Sequence, residues 1–269
     1  MLEIHDIKKV FQRGTSSEQQ ALAGLSLRLQ QGEFVTVIGS NGAGKSTLFG
    51  AIAGSFFVDQ GSIRLDGEDI TYQKEYLRAK HIGRLFQDPN TGTAPGLTIE
   101  ENLALVYSKA TRRFSLSLAL RAADRRYFKD LLARLDMGLE NRLKAKVGLL
   151  SGGQRQALTL LLSTMVPPKL LLLDEHTAAL DPLTAAKVME LTEEIAGQNK
   201  ITTLMITHNV ASALKMGTRT IMMDKGQIVM DLEGEERRTM TSQDLLQRYR
   251  QIMHKELDND RMLFSGEEE

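Results

Sequence analysis

A chain of 269 residues with 42% apolar content can bury a full core, as one large domain or as one core with an inserted smaller lobe. Its 34 basic and 34 acidic residues sum to zero formal charge, which gives no electrostatic case for nucleic acid as the main partner. The absence of cysteine excludes disulfides and thiolate metal sites, the histidines show no zinc-type pair, and no apolar run approaches the ~18 residues needed to span a bilayer.

In chain order, Met1-Leu2-Glu3-Ile4 begins a strand pattern and not a signal peptide. Leu2 to Phe11 and Ala21 to Leu29 alternate as strands around the polar loop Gln12 to Gln20, predicting an antiparallel N-terminal lobe. The apolar run Phe34 to Ile38 predicts a buried strand, and Leu48 to Ala53 permits a helix. Gly61 to Gly67 adds a short strand and turn. From Thr98 the pattern turns helical through Asp136, with Glu101 completing a capping box. Arg112, Arg113, Arg121, Arg125 and Arg126 make that segment basic, which suits a solvated helix face or docking near an anionic membrane surface. Leu170 to Leu173 reads as a buried parallel strand. A helix follows Asp181-Pro182 to Gln198, then the strand Ile201 to Thr207, a helix from Asn209, and strands Arg219 to Met223 and Gln227 to Asp231. Thr241 to Met253 reads as a last amphipathic helix, and Asp258 to Glu269 as an acidic, frayed tail. No internal repeat is visible.

Three stretches carry chemistry. Gly39-Ser40-Asn41-Gly42-Ala43-Gly44-Lys45-Ser46-Thr47 has the G-x-x-x-x-G-K-[ST] spacing between a strand and a helix. Glycines let successive backbone N–H groups and the positive end of the helix face an anion. Lys45 then reaches β- and γ-phosphates, Ser46 ligates Mg²⁺, and the Thr47 region holds the α/β-phosphates. The four leucines end in Asp174-Glu175, which brings two acids to the crevice at the carboxyl edge of a parallel sheet. Asp174 is the expected Mg²⁺ partner, directly or through water, and Glu175 is placed to orient and polarise an attacking water. The third stretch is Leu150-Ser151-Gly152-Gly153-Gln154, where a serine at a helix start presents free N–H groups suited to an anion.

Together these residues resemble the ATP-binding cassette (ABC) transporter ATPases over nearly all of residues 1 to 235, and Leu150 to Gln154 reads identically to that family's signature. The resemblance implies an α/β fold, a P-loop NTPase core with an N-terminal antiparallel β lobe and an inserted helical lobe at about 90–155, within one ATPase domain at 1–257. It implies ATP and Mg²⁺ as ligands. It also implies that Ser151, Gly152, Gly153 and Gln154 bind the γ-phosphate held by a second, head-to-tail subunit, and that Asp181 crosses that interface. Gln87, in Phe86-Gln87-Asp88-Pro89, resembles the glutamine that touches Mg²⁺ and the water and reports to the membrane partner. His208 resembles the switch histidine on the γ-phosphate, where position alone would suggest an ordinary strand-end histidine. Phe11 stands where the family places a ring on adenine, although Val10-Phe11 also fits a core strand. His176 departs from the family, which has proline there. It reads either as a pH-sensitive contact beside Glu175 or as a subfamily variant.

Further stretches, Thr93 to Asn102 and Asp174 to Asp181, resemble the ATPases of bacterial importers that pair with a branched-chain-type permease and a lipoprotein receptor, with aromatic amino acids among the cargoes. That implies a peripheral protein at the cytoplasmic face of the membrane. The other class is a soluble cassette ATPase acting on ribosomes, DNA or cofactor assembly. Such relatives tend to carry two cassettes, long coiled coils or metal modules, none of which is readable in this sequence.

Overall fold

The computed structural model describes residues 1–111 and 122–251. Arg112, Arg113, Arg121, the end of the last helix and the acidic tail lie outside the described residues.

Among the described residues ten strands form two sheets. β1 (Leu2–Phe11), β2 (Gln19–Leu29), β4 (Gln60–Leu65) and β5 (Glu68–Asp69) make an antiparallel sheet in the order β2-β1-β4-β5. β3 (Phe34–Gly39), β6 (Ile82–Leu85), β7 (Leu170–Asp174), β8 (Thr202–Ile206), β9 (Arg219–Asp224) and β10 (Gln227–Glu233) make the second, in the order β10-β9-β3-β8-β7-β6. Within it β9, β3, β8, β7 and β6 are parallel, and β10 closes the edge as the antiparallel arm of a hairpin.

The helices are α1 (Lys45–Ala53), α2 (Glu75–Arg78), α3 (Ile99–Thr111), α4 (Ala122–Ala133), α5 (Gly152–Thr164), α6 (Pro182–Gln198), α7 (Val210–Lys215) and α8 (Gly234–Thr239). A further helical stretch covers 242–251. The leucine run shows how the layers are stacked. Leu170 and Leu172 enter one apolar cluster with Leu48, Phe49 and Ile52 of α1 and with the antiparallel sheet. Leu171 and Leu173 enter another with α3, α5 and α6. Period-two side chains thus commit successive leucines to opposite faces, so both faces of the parallel sheet are covered.

Between β6 and β7 the described residues form α-helices, short 3₁₀ turns and an isolated antiparallel bridge of Thr98 with Lys146, and they share their apolar cluster with the sheet. The capping box opening α3 is present, with the Thr98 N–H and hydroxyl both donating to Glu101, at 2.7 and 2.8 Å. Four elements were absent from the sequence reading: β5, β6, α2 and α8. α1 also begins three residues earlier than read, at Lys45, because Gly44 takes the left-handed conformation and ends the loop there. β6 has four residues with Arg84 in the middle, too short a span for periodicity to register.

Candidate functional site

The parallel strands end together, and their carboxyl edge collects the candidate residues. β3 runs into the loop Gly39 to Thr47, β7 ends at Asp174 and leads into Glu175, β8 ends just before Thr207-His208, and β6 delivers Phe86-Gln87 beside Asp174. The loop is held from below by the β9–β10 turn. Gly226 donates its N–H to the Ala43 carbonyl at 3.0 Å, and the Ser40 hydroxyl reaches Asp224 at 3.2 Å. Gly44 has φ +97, and a Cβ there would lie 2.5 Å from the Ala21 carbonyl oxygen, so the position requires glycine.

Lys45, 6% exposed, donates from Nζ to the carbonyls of Gly39 at 2.8 Å and Ser40 at 2.9 Å. Burial lowers its pKa, opposed by the charges of Glu175 and Asp174. The ammonium is thereby stored inside the loop at the amino end of α1, where an anion would meet it. Ser46 is exposed and Thr47 half-buried on the first turn.

Burial raises the pKa of Asp174 against the pull of Arg84 and Lys45. The Arg84 guanidinium stands 4.0 Å from Asp174 Oδ2 and stacks on Phe86 at 4.5 Å. Glu175 has φ +47, a left-handed conformation that costs a non-glycine residue of order 1–3 kcal/mol. Its N–H donates to the Ile206 carbonyl at 3.1 Å, and its Oε1 lies 2.5 Å from His208 Nε2. The two residues read from sequence as acid and switch histidine are therefore in direct contact. His176 is enclosed, and burial pushes its imidazole down to about 4, so the ring is neutral at physiological pH.

Ser151 caps α5 through the full capping box, with Gln154 N–H on its hydroxyl and its own N–H on Gln154 Oε1, each at 3.3 Å. Gly152 is exposed. A Cβ on Gly153 would fall 1.9 Å from Thr184 Cγ2, so α5 and α6 meet closely at that point. Asp181 caps α6 by accepting from the Thr184 N–H at 3.1 Å, and hydrogen bonding from Thr184 holds its carboxyl below the usual range. Phe11 is half-buried and packs edge-on against Phe56, with centroids 5.2 Å apart. Gln87 is exposed.

The donor chemistry suits Mg²⁺. Asp174 and Ser46 offer hard oxygen ligands, and Asp174 is a desolvated carboxylate with cations at hand. Among the described residues no three His, Cys, Asp or Glu side chains cluster as a metal cage. A divalent cation would then draw its remaining ligands from water and substrate phosphates, as Mg²⁺ does. Sequence reasoning missed Arg84 and Asp224. Neither had a signal of its own: Arg84 lies in a strand too short for periodicity to register, and Asp224 reaches Ser40 only through a pairing 184 residues distant.

The family described as ABC transporter matches residues 22–178. The chain belongs to that family. This cassette is 43% identical over 249 residues to the tyrosine transport ATP-binding protein of Clostridioides difficile (strain R20291), covering 93% of this chain and 98% of that one. It is 35% identical to the methionine import ATP-binding protein MetN 1 of Pseudomonas putida, over 85% of this chain and 66% of that one. The chain spans about a third of the length of the bicarbonate transport relatives that it also matches. Among solved structures, a dimeric ATP-binding cassette in a post-hydrolysis state bound to ADP and Pi aligns with a TM-score of 0.71 at 27% identity, covering 87% of this chain and 98% of that one. The cassette is an ATP-binding subunit of an ABC transporter and an ATPase with the P-loop NTPase fold. No helix among the described residues is long and apolar enough to cross a membrane.

Proposed function

We propose that this cassette energises import of a small solute, an amino acid and specifically an aromatic one, through a separate integral membrane permease at the cytoplasmic face of the membrane. The permease is of the branched-chain type and is served by a lipoprotein receptor. The carrying observation is the convergence of Lys45, Asp174, Glu175 and His208 on one sheet edge, with Glu175 and His208 2.5 Å apart. The amino-acid cargo is supported by likeness to tyrosine and methionine transport proteins. Residues 1–257 serve as one ATPase domain, with a helical lobe at about 90–155 offering the permease its groove and 258–269 as a tail.

In this reading the N–H groups of Gly39, Ser40, Asn41, Gly42, Ala43, Gly44 and Thr47 cradle the phosphates, and Lys45 exchanges its two carbonyls for β- and γ-oxygens. Phe11 offers its ring to adenine. Ser46, Asp174 and Gln87 would hold Mg²⁺, which would supply positive charge to offset that of the phosphates. Glu175 orients and polarises the attacking water, and His208 contacts the γ-phosphate while restraining the Glu175 carboxylate. Two copies meet head to tail, so that Ser151, Gly152, Gly153 and Gln154 of one complete the γ-phosphate site of the other and Asp181 crosses between them. Leu149, 73% exposed, and Leu183, 84% exposed, flank these residues and supply apolar surface for such an interface. ATP then favours the closed pair, and phosphate release removes part of that preference.

Light scattering on Glu175→Gln is the test of the sandwich: ATP is expected to drive a stable dimer, and a variant that binds ATP yet stays monomeric overturns it. Co-purification of the tagged cassette with a multi-spanning protein, and competition of labelled tyrosine uptake by other aromatic amino acids, test the transport assignment. Quantitative recovery with ribosomes or DNA instead would favour the soluble class.

A further inference from the structure

His176 immediately follows the strained Glu175, and its ring is 2% exposed. Its Nε2 lies 3.0 Å from the hydroxyl of Thr192, which is fully buried on α6. The same hydroxyl stands 2.8 Å from the Val188 carbonyl, which can only accept. Thr192 therefore gives its single hydrogen to Val188 and accepts from the ring, which fixes the neutral Nε2–H tautomer and the ring's orientation. A β-branched threonine bonded back to its own helix turn is itself held in one rotamer, so the chain from ring to α6 backbone has little slack. α6 is in turn seated at its start by the Asp181 cap and by the contact of Thr184 with Gly153. Among the described residues Glu175 has no side-chain tether besides His208, which is half-exposed.

We propose that His176 is a positioning residue: through Thr192 it pins the segment after β7 to α6, holds Glu175 in its left-handed conformation, and so sets where the Glu175 carboxylate stands. This rests on the reading of Glu175 as the group that handles the attacking water. It differs from both readings of His176 drawn from the sequence, because the ring's hydrogen-bond partner is Thr192 of α6.

The experiment compares single-turnover ATP hydrolysis and fluorescent-ATP affinity in the full chain for Thr192→Val, Thr192→Ser, His176→Ala, His176→Gln and the Thr192→Val/His176→Ala double variant, with Glu175→Gln as reference. Thr192→Val and His176→Ala are each expected to slow the chemical step about 10-fold, as misplacement of a reacting group does, with affinity within about twofold. Thr192→Ser keeps the hydroxyl and His176→Gln keeps an N–H donor, and both are expected to recover most of the rate. The double variant should be no slower than the worse single one. Unchanged hydrolysis in folded Thr192→Val overturns the proposal, as does an equal loss in rate and affinity, or failure of serine to restore the rate. If Thr192→Val does not fold, the contrast between His176→Gln and His176→Ala decides, and equal rates in those two overturn it. Normal turnover in Glu175→Gln overturns instead the assignment of Glu175, whatever the other variants do.

Discussion

Single side chains decide the chemistry. Glu175→Gln keeps the shape and hydrogen-bonding capacity of the residue 2.5 Å from His208 but removes the charge, so turnover is expected to fall by about 10²-fold or more with ATP binding retained. Steady-state ATPase rates beside nucleotide affinity measure this, and near-normal turnover would take the base role from Glu175. His208→Ala is expected to impair turnover in the same assay, because it removes the partner of Glu175 and, in the proposed function, the γ-phosphate contact. The candidate residues were legible in the sequence because phosphate chemistry constrains type and spacing together, as in Gly39 to Thr47. Thr192 and Arg84 were not, since a threonine inside a helix and a lone arginine in a strand carry no pattern of their own. Their meaning comes from what folding puts beside them: a buried ring in one case, and Asp174 at 4.0 Å in the other.

Helix ends are where local sequence and tertiary structure share the work. The start of α3 was readable because its capping box is local, and Thr98→Ala is expected to cost about 1 kcal/mol by thermal denaturation. Hydrogen bonds from Thr98 hold Glu101 below the usual glutamate range. The box is therefore intact at neutral pH and loses its contribution only as acid protonates Glu101 through that depressed value. The end of α1 at Ala53 was readable too, and Gly54 caps it locally with its N–H on the Gly50 carbonyl, but the side chain that satisfies carbonyls of its last turn comes from elsewhere. Arg78, 2% exposed, donates to the carbonyls of Ala51 and Ile52 on α1 and of Thr71 and Gln73, at 2.7 to 2.9 Å. Arg78→Met strands these buried acceptors, and a loss of about 3 kcal/mol or more is expected in urea unfolding. The α5–α6 contact offers a paired test. Gly153→Ala should cost about 1–3 kcal/mol by overpacking against Thr184, and adding Thr184→Ser, which deletes the obstructing methyl, should return most of it. Additive losses in the double variant would show that the two helices do not meet there.

At the scale of the whole molecule, the class of fold followed from strands alternating with helices, but the strand order did not. Local propensity says that Phe34 to Gly39 is a strand; it does not say that β8 and β9 flank it. The pairing depends on apolar faces that match only after collapse, and the brace beneath the phosphate loop depends on it in turn. That arrangement bears on birth order during synthesis. The ribosome releases Ser40 before Asp224, its partner 184 residues later, and Gly226, whose N–H holds Ala43, follows later still. At 5–20 residues per second the loop waits roughly 10–40 s for its support. A stalled nascent chain ending at residue 218 is therefore expected to show no ATP-dependent protection from protease, and one extended to residue 251 to acquire it. The loop is made well before the residues that brace it, which leaves the apolar edge of β3 in need of shelter until β8 and β9 have emerged to flank it.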